Sequence, residues 1–379
     1  MQFKDIIGQE EIKAKLIKSV QENRVPHAQM FAGPPGNGKL ALTLAYAQYI
    51  MCQNRSETDS CGACPACQKM SKYIHPDLHF VMPTATTKKI KQNNEADLFL
   101  EDWREYLQKC EGYASEGDWY TFLDIENKQG YISVRDAKTL IHKLNFKAFE
   151  GSYKIVIIWM AEKLRTDTAN KILKILEEPP AKTVFLLIAE EPEEILATIK
   201  SRTVIHKIPR IDINDLQDSL IEKFSLDAQK AHDIALIANG NWITAKYLSQ
   251  ENSDYKYNFH TFQQWMRLCF KNKIPELIDL SSNLKDLGRE KQKMLLSYGL
   301  NIVHNALLAN NGLSDKVLLP DDEKQFCINF APFINNENVT AITSLLSESI
   351  EQIEQNAYAP LLFTNLSFKL CTLLRAKTK

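Results

Sequence analysis

GPPGNGKL, residues 33–40, is the stretch on which the fold of this 379-residue chain turns. Gly33, Gly38 and Lys39 stand in the spacing G-x-x-x-x-G-K-[ST], with Gly36 between them. In that pattern backbone N–H groups at a helix start cradle phosphate, the lysine reaches it, and a final hydroxyl ligates magnesium. Leu40 occupies the hydroxyl position and has no atom to offer a metal. The run before the loop, HAQMFAG at 27–33, has the composition of a buried parallel strand. The run after Lys39, LALTLAYAQYIMC, is rich in Ala and Leu and predicts a helix. Strand, glycine loop and helix together give the motif its meaning, because a helix N-terminus is an anion site. Gly33, Gly36, Gly38 and Lys39 are therefore candidate phosphate-binding residues in a loop that has lost one magnesium ligand.

Three more buried strands follow: LHFVM at 78–82, KIVIIWM at 154–160 and TVFLLIA at 183–189. Between the later ones, SVRDAKTLIHKL predicts a helix capped by Ser133 and TDTANKILKILEEPP a helix capped by Thr166. Strands alternating with helices imply a parallel sheet covered on both faces. Beyond Pro209 the strand signal stops. DINDLQDSLIEKF and DAQKAHDIALIANG read as amphipathic helices, the second ending at Gly240, and the rest of the chain is helical. The expected architecture is an α/β P-loop core over residues 1–208, a small helical lid over 209–252 and an all-α bundle over 253–379. Residues 84 to about 128 interrupt the core pattern. Trp103, Tyr106, Trp119, Tyr120 and Phe122 make this insertion too apolar for plain disorder; packing against the host domain is the favoured reading, and contact of its aromatics and lysines with single-stranded nucleic acid the alternative.

Cys52, Cys61, Cys64 and Cys67 lie in C-x8-C-x2-C-x2-C, and two-residue gaps let neighbouring thiolates face one ion. Four sulfurs complete a tetrahedral zinc site with no open position for water, so the expected role is structural. Disulfides are disfavoured in the cytoplasmic chain expected below. Cys110, Cys269, Cys327 and Cys371 are scattered and expected to be packed thiols.

A P-loop hydrolase also holds its magnesium with an acid at the end of a buried strand. KIVIIW ends in Trp159 and Met160. Glu162 is close by, but next to Lys163 it is expected to be a solvated helix-start carboxylate. With Leu40 and Trp159 both apolar, the chain is shaped like a hydrolase and lacks the ligands for hydrolysis.

Composition narrows the rest. A formal net charge of −1 gives no global basic field for nucleic acid. The N-terminus shows no apolar run of the secretion-signal kind, and the longest apolar run, IVIIWMA, is too short to span a bilayer. A cytoplasmic protein is expected. No cluster of metal-binding carboxylates supports polymerase or nuclease chemistry.

IIGQEEIKAKLIKSV, RVPHAQMFAGPPGNGK, the four-cysteine module, HPDLH, NFKAFEGSYKIVII, ANKILKILEEPP and ATIKSRT together resemble the bacterial clamp-loader AAA+ family of the DNA polymerase III holoenzyme. The resemblance covers residues 1 to about 250. It implies an AAA+ core, a lid, and a C-terminal collar domain in a five-subunit ring. It further implies tau/gamma-type motor ATPases and a delta subunit as partners, and contact with the sliding clamp and primed DNA through the complex. Ser201-Arg202-Thr203 resembles the family's Ser-Arg-Cys motif, which implies that Arg202 reaches into a neighbouring subunit's ATP site. The polar sensor falls at Ala189 or Glu190, and the lid's sensor arginine at Ile243, so both depart from an active site. The resulting expectation is a stator with structural zinc, no intrinsic ATP hydrolysis and, through Lys39, ATP binding left open. An active AAA+ ATPase, motor or helicase type, is the alternative, and a zinc-dependent nucleic-acid binder a second.

Overall fold

The computed structural model describes residues 1–125, 128–249, 255–317, 319–355 and 357–375. Positions 126–127 of the expected insertion, 250–252 of the expected lid, and 253–254, 318, 356 and 376–379 of the expected bundle lie outside the described residues. The chain forms two compact units, Met1–Ala228 with Ala238–Lys246, and Gln229–Ile237 with Tyr247–Lys379.

The first unit is built on a five-stranded sheet in the order β2-β3-β4-β1-β5. Its strands are β1 (Ala28–Ala32), β2 (Leu78–Val81), β3 (Lys154–Trp159), β4 (Thr183–Ala189) and β5 (Val204–Lys207). All pairings are parallel, with Met30 opposite Leu187 and Ile157 opposite Leu186. Every residue of β1, β3 and β4 is buried, as parallel strands covered on both faces must be. The order is a crossover topology, so helices run across both faces. These are α1 (Glu10–Gln21), α2 (Lys39–Met51), α3 (Pro65–Ser71), α4 (Leu100–Cys110), α5 (Glu116–Phe122), α6 (Val134–Leu144), α7 (Thr166–Glu177), α8 (Ala197–Lys200) and α9 (Ile213–Phe224). On one face Leu140 and Leu144 of α6 and Ile172 and Leu176 of α7 join Val156, Ile158, Phe185 and Leu187 in one core. α2 is buried along its whole length, which fits its apolar composition on every side.

Local chemistry sets the helix ends. Ser133 caps α6: its Oγ accepts from the Asp136 N–H, and Asp136 returns the bond to the Ser133 N–H at 2.7 Å. Thr166 does not cap α7. It is the first helical residue, Arg165 holds the cap position, and no side chain makes the capping bond. Asp212 caps α9 by accepting from the Asn214 N–H at 2.8 Å. The next helix, α10 (Ala228–Ala238), is followed by Asn239 and Gly240 in left-handed conformation. α11 (Trp242–Ser249) follows directly. β5 carries no expectation from the sequence. It is a short edge strand whose Val204 and Ile205 are exposed.

The insertion packs inward, as its aromatics demand. Trp103 of α4 and Trp119 of α5 are fully buried, with ring centroids 5.0 Å apart. Trp119 Nε1 donates to the Pro83 carbonyl at 2.9 Å, so its one polar atom is satisfied. Trp103 also lies 4.9 Å from Trp159 at the end of β3.

The second unit is helical: α12 (Tyr255–Lys271), α13 (Ile274–Leu284), α14 (Arg289–Asn310), α15 (Asp321–Phe330), α16 (Val339–Glu354) and α17 (Ala359–Leu373), with residues of α10. Phe262, Trp265, Ile302, Leu346 and Phe363 anchor its core. Trp265 Nε1 donates to Ser367 Oγ at 2.8 Å. Among the described residues no helix is long and apolar enough to cross a membrane.

Candidate functional site

The phosphate loop has its expected place: β1 runs into Gly33 and α2 starts at Lys39. Gly36 and Gly38 take φ of 69° and 83°, values in the left-handed region that favours glycine. A Cβ on Gly36 would also collide with Asn241 Oδ1. Asn241 belongs to the start of α11, where its Oδ1 accepts the Thr244 N–H and the next residue, Trp242, donates its N–H to the Gly36 carbonyl at 2.9 Å. Inside the loop, Asn37 is fully buried and donates to the Ile208 carbonyl at 2.8 Å while accepting from the Lys39 N–H. The turn is thus held by its own Asn37 side chain and by the backbone N–H of Trp242.

Lys39 decides what this loop can do. Its side chain is only 5% exposed, and its Nζ sits 2.8 Å from Glu190 Oε1 and 3.0 Å from the Pro34 carbonyl. Glu190 follows β4 directly, at the place where the family resemblance puts a polar sensor. A carboxylate thus neutralises the ammonium that would meet phosphate, and an incoming phosphate would have to displace it. Leu40 is buried beside it in α2, with nothing to bind magnesium.

The second magnesium position is equally altered. Trp159 is 2% exposed and packs in the aromatic cluster with Trp103, so an acid's place is filled by core. Met160 then takes φ 56° and turns the chain into a 3-10 turn over Ala161–Lys163. Glu162 corrects the expectation of a solvated carboxylate. Its Oε1 accepts the Glu190 N–H at 2.9 Å and the Glu191 N–H at 3.4 Å, and its Oε2 is buried without a hydrogen-bond partner. Burial pushes its carboxyl above the ordinary range in spite of those N–H bonds. Glu162 therefore braces the segment that presents Glu190 to Lys39. Ile243, at the place of the lid's sensor arginine, is half-buried and brings no charge.

Arg202 lies just beyond α8. Its Nη2 is 2.5 Å from Glu177 Oε1 at the end of α7, and its Nη1 donates to the Thr198 carbonyl at 3.0 Å. The side chain is 36% exposed, so the guanidinium sits at the surface in an ion pair.

The four-cysteine module begins at the other end of α2, where Cys52 is the C-terminal cap. The sulfurs of Cys52, Cys61, Cys64 and Cys67 all lie within 4.8 Å of one another, with Cys52–Cys61 at 3.6 Å and Cys61–Cys67 at 3.9 Å. Sulfurs at about 2.3 Å from one zinc ion at tetrahedral angles would be about 3.7 Å apart, so the donor set fits. Backbone N–H groups already point at the sulfurs: Cys61 donates to Cys52 Sγ and Cys64 to Cys61 Sγ, each at 3.3 Å. The Cys64 and Ala63 N–H groups hold the Cys61 thiol down to about 6, which favours the thiolate a metal needs. Lys69 of α3 pairs with Glu150 and fastens the module to the loop before β3. Asp77 anchors that loop, accepting the N–H groups of Phe149, Glu150 and Gly151 at 2.6–2.8 Å.

The pairing of Glu190 with Lys39 and the place of Asn241 against Gly36 are what sequence reasoning did not assign. Glu190 carries a signal, being the first acid after an apolar strand. Asn241 carries a weaker one, as a cap residue after Gly240.

A glycine loop feeding a buried helix on a five-stranded parallel sheet defines a P-loop α/β protein. The chain belongs to the family described as DNA polymerase III, delta subunit, whose model matches residues 8–212, more than half of its length. It is 29% identical over 248 residues to DNA polymerase III subunit delta′ of Escherichia coli K12, covering 62% of each chain. It is 32% identical over 188 residues to the delta′ subunit of Yersinia pestis, covering 50% of this chain and 43% of that one. The chain therefore spans about three fifths or less of the length of these relatives. Among solved structures, a gamma subunit-related protein of DNA polymerase III from Thermotoga maritima is similar over 96% of this chain and 99% of its own, with 14% identity and a TM-score of 0.39.

Proposed function

We propose that this protein is a delta-prime-like stator of a DNA polymerase III clamp loader, which supports ATP-dependent loading of the sliding clamp onto primed DNA without hydrolysing ATP itself. The observation that carries this reading is the buried Lys39–Glu190 pair inside a loop that keeps its glycines and lysine. Leu40 and Trp159 at the two magnesium positions point the same way. An active ATPase would need a substitute acid; Glu190 is paired with Lys39, and Glu162 accepts the N–H groups of Glu190 and Glu191 through its Oε1. In the proposed division of labour, residues 1–208 form the core, 209–252 the lid and 253–379 the share of a collar in the cytoplasmic ring. Tau/gamma-type motor subunits and a delta subunit would be the neighbours. The four cysteines would hold a structural zinc, since a closed sulfur tetrahedron leaves no site for water.

Arg202 would act in trans. A guanidinium placed beside a neighbour's γ-phosphate stabilises charge that develops during transfer and is worth roughly 10³ to 10⁵ in rate at the site it serves. In the isolated chain Glu177 holds that group, so docking must exchange the carboxylate for phosphate. The test is Arg202→Ala in the assembled complex. Assembly should be unchanged, while clamp- and DNA-stimulated ATP hydrolysis falls, and Arg202→Lys should restore little because an ammonium lacks the planar fork. Wild-type hydrolysis and clamp loading by an intact Arg202→Ala complex would refute the trans role.

A further inference from the structure

On the helical unit, α12 and α15 wall a trough of about 340 Å³. That volume lies within the range of about 300–1,000 Å³ found for built binding sites. From α12 it takes Met266, Arg267, Phe270 and Lys271, and from the opposite wall Phe326, Phe330 and Phe333. Spacings of three and four on each side mean that each wall turns one helical stripe inward. Phe270 lies 4.7 Å from Phe333, and Phe326 stacks on Phe330 at 5.6 Å. Even so, Phe270 keeps 45% of its surface exposed. The aromatic floor is built but not covered.

Shape and charge specify what would cover it. The stripe on α15 from Asp322 to Phe330 runs about 12 Å at 1.5 Å per residue, the length of two helical turns. The backbones of α12 and α15 spend their hydrogen bonds within the helices, so an extended peptide would find no ladder there. A third helix would need none. Arg267 and Lys271 stand one turn apart on one rim, and Arg375 is held beside them by its Nε bond to the Phe270 carbonyl at 3.0 Å. The opposite rim offers Asp322 with the neutral Gln325 and Asn329. Two lining cations face one lining carboxylate.

We propose that this trough is a docking groove for an acidic amphipathic helix of a partner protein, about two turns long. Its apolar side chains seat on the phenylalanine floor and its carboxylates face Arg267 and Lys271. The proposal stands apart from the stator reading, and its test uses the full chain without any clamp-loader component. The probe is a fluorescein-labelled, end-blocked model helix of fourteen residues with leucines at every third and fourth place, flanked by glutamates. A companion peptide carries lysine in place of each glutamate. Anisotropy titrations should show the glutamate peptide binding at least about tenfold tighter than the lysine peptide. Phe270→Asp should weaken it by a similar factor. The double variant Arg267→Glu, Lys271→Glu should reverse the order of the two peptides. All substituted positions are exposed, so circular dichroism should match the wild type. Equal binding of both peptides, binding of neither, or an unreversed order in the double variant would overturn the proposal. Sedimentation showing a dimer that Phe270→Asp dissolves would overturn it too, because the occupant would then be a second copy of the chain.

Discussion

At its N-terminal end α2 meets a glycine loop whose lysine is bound by the chain's own Glu190. At its C-terminal end the same helix meets four cysteines whose sulfurs face one another within 4.8 Å. Both ends carry a motif for holding an ion or an anion. At the first, the glycine turn is present and a carboxylate holds its lysine. At the second, backbone N–H groups support the sulfurs, and the S–S distances suit one tetrahedral ion. The difference teaches that a motif fixes a cradle, and that its neighbours decide what the cradle can hold. Glu190 lies 151 positions from Lys39 and pairs with it, while the four cysteines of the other lie within one short segment.

The largest expected effect lies at the cysteine end. The double variant Cys64→Ser, Cys67→Ser should lose its zinc completely and melt the module after α2. Metal binding and local folding are one equilibrium, worth roughly 10–16 kcal/mol in small zinc domains. Metal analysis with a thermal melt checks this, and full zinc content in the variant would break the assignment. Next comes Trp159→Asp, which restores an acid at the end of β3. It should cost about 3–5 kcal/mol in urea unfolding, because it removes an indole packed on Trp103 and buries a carboxylate among aromatic rings. No ATPase activity should appear, since Leu40 and Glu190 remain.

A smaller effect sharpens the contrast between the two ends. Glu190→Gln leaves Lys39 a neutral hydrogen-bond partner at a partly exposed position, so stability should fall by at most about 3 kcal/mol. Freed of the carboxylate, the ammonium should meet phosphate more readily, and calorimetry with ADP should detect tighter binding than in the wild type. Equal affinity in the two proteins would mean that Glu190 does not close the loop.

The local features of these sites were legible in the sequence, and the distant ones were not. The run into Gly33, the helix after it and the apolar strand ending at Trp159 follow from composition and spacing, because burial on both faces leaves a continuous apolar signature. The clustering of the four cysteines was legible because they lie within one short segment. β5 was missed because an edge strand with exposed Val204 and Ile205 carries neither signature. Thr166 was misread as a cap because Thr suits both the cap and the first turn, and Arg165 takes the cap without a side-chain bond. Glu162 was misread because its neighbour Lys163 suggested solvent, while its true partners are the N–H groups of Glu190 and Glu191 across the sheet end. Long-range pairing of this kind leaves no periodicity to read.

The most direct test of the central claim is ATP turnover by the purified chain, alone and with magnesium. With Leu40 and Trp159 at the magnesium positions and Glu190 on Lys39, the account predicts no hydrolysis above background, and no change on Lys39→Ala. Steady turnover by the wild-type chain that Lys39→Ala abolishes would contradict it.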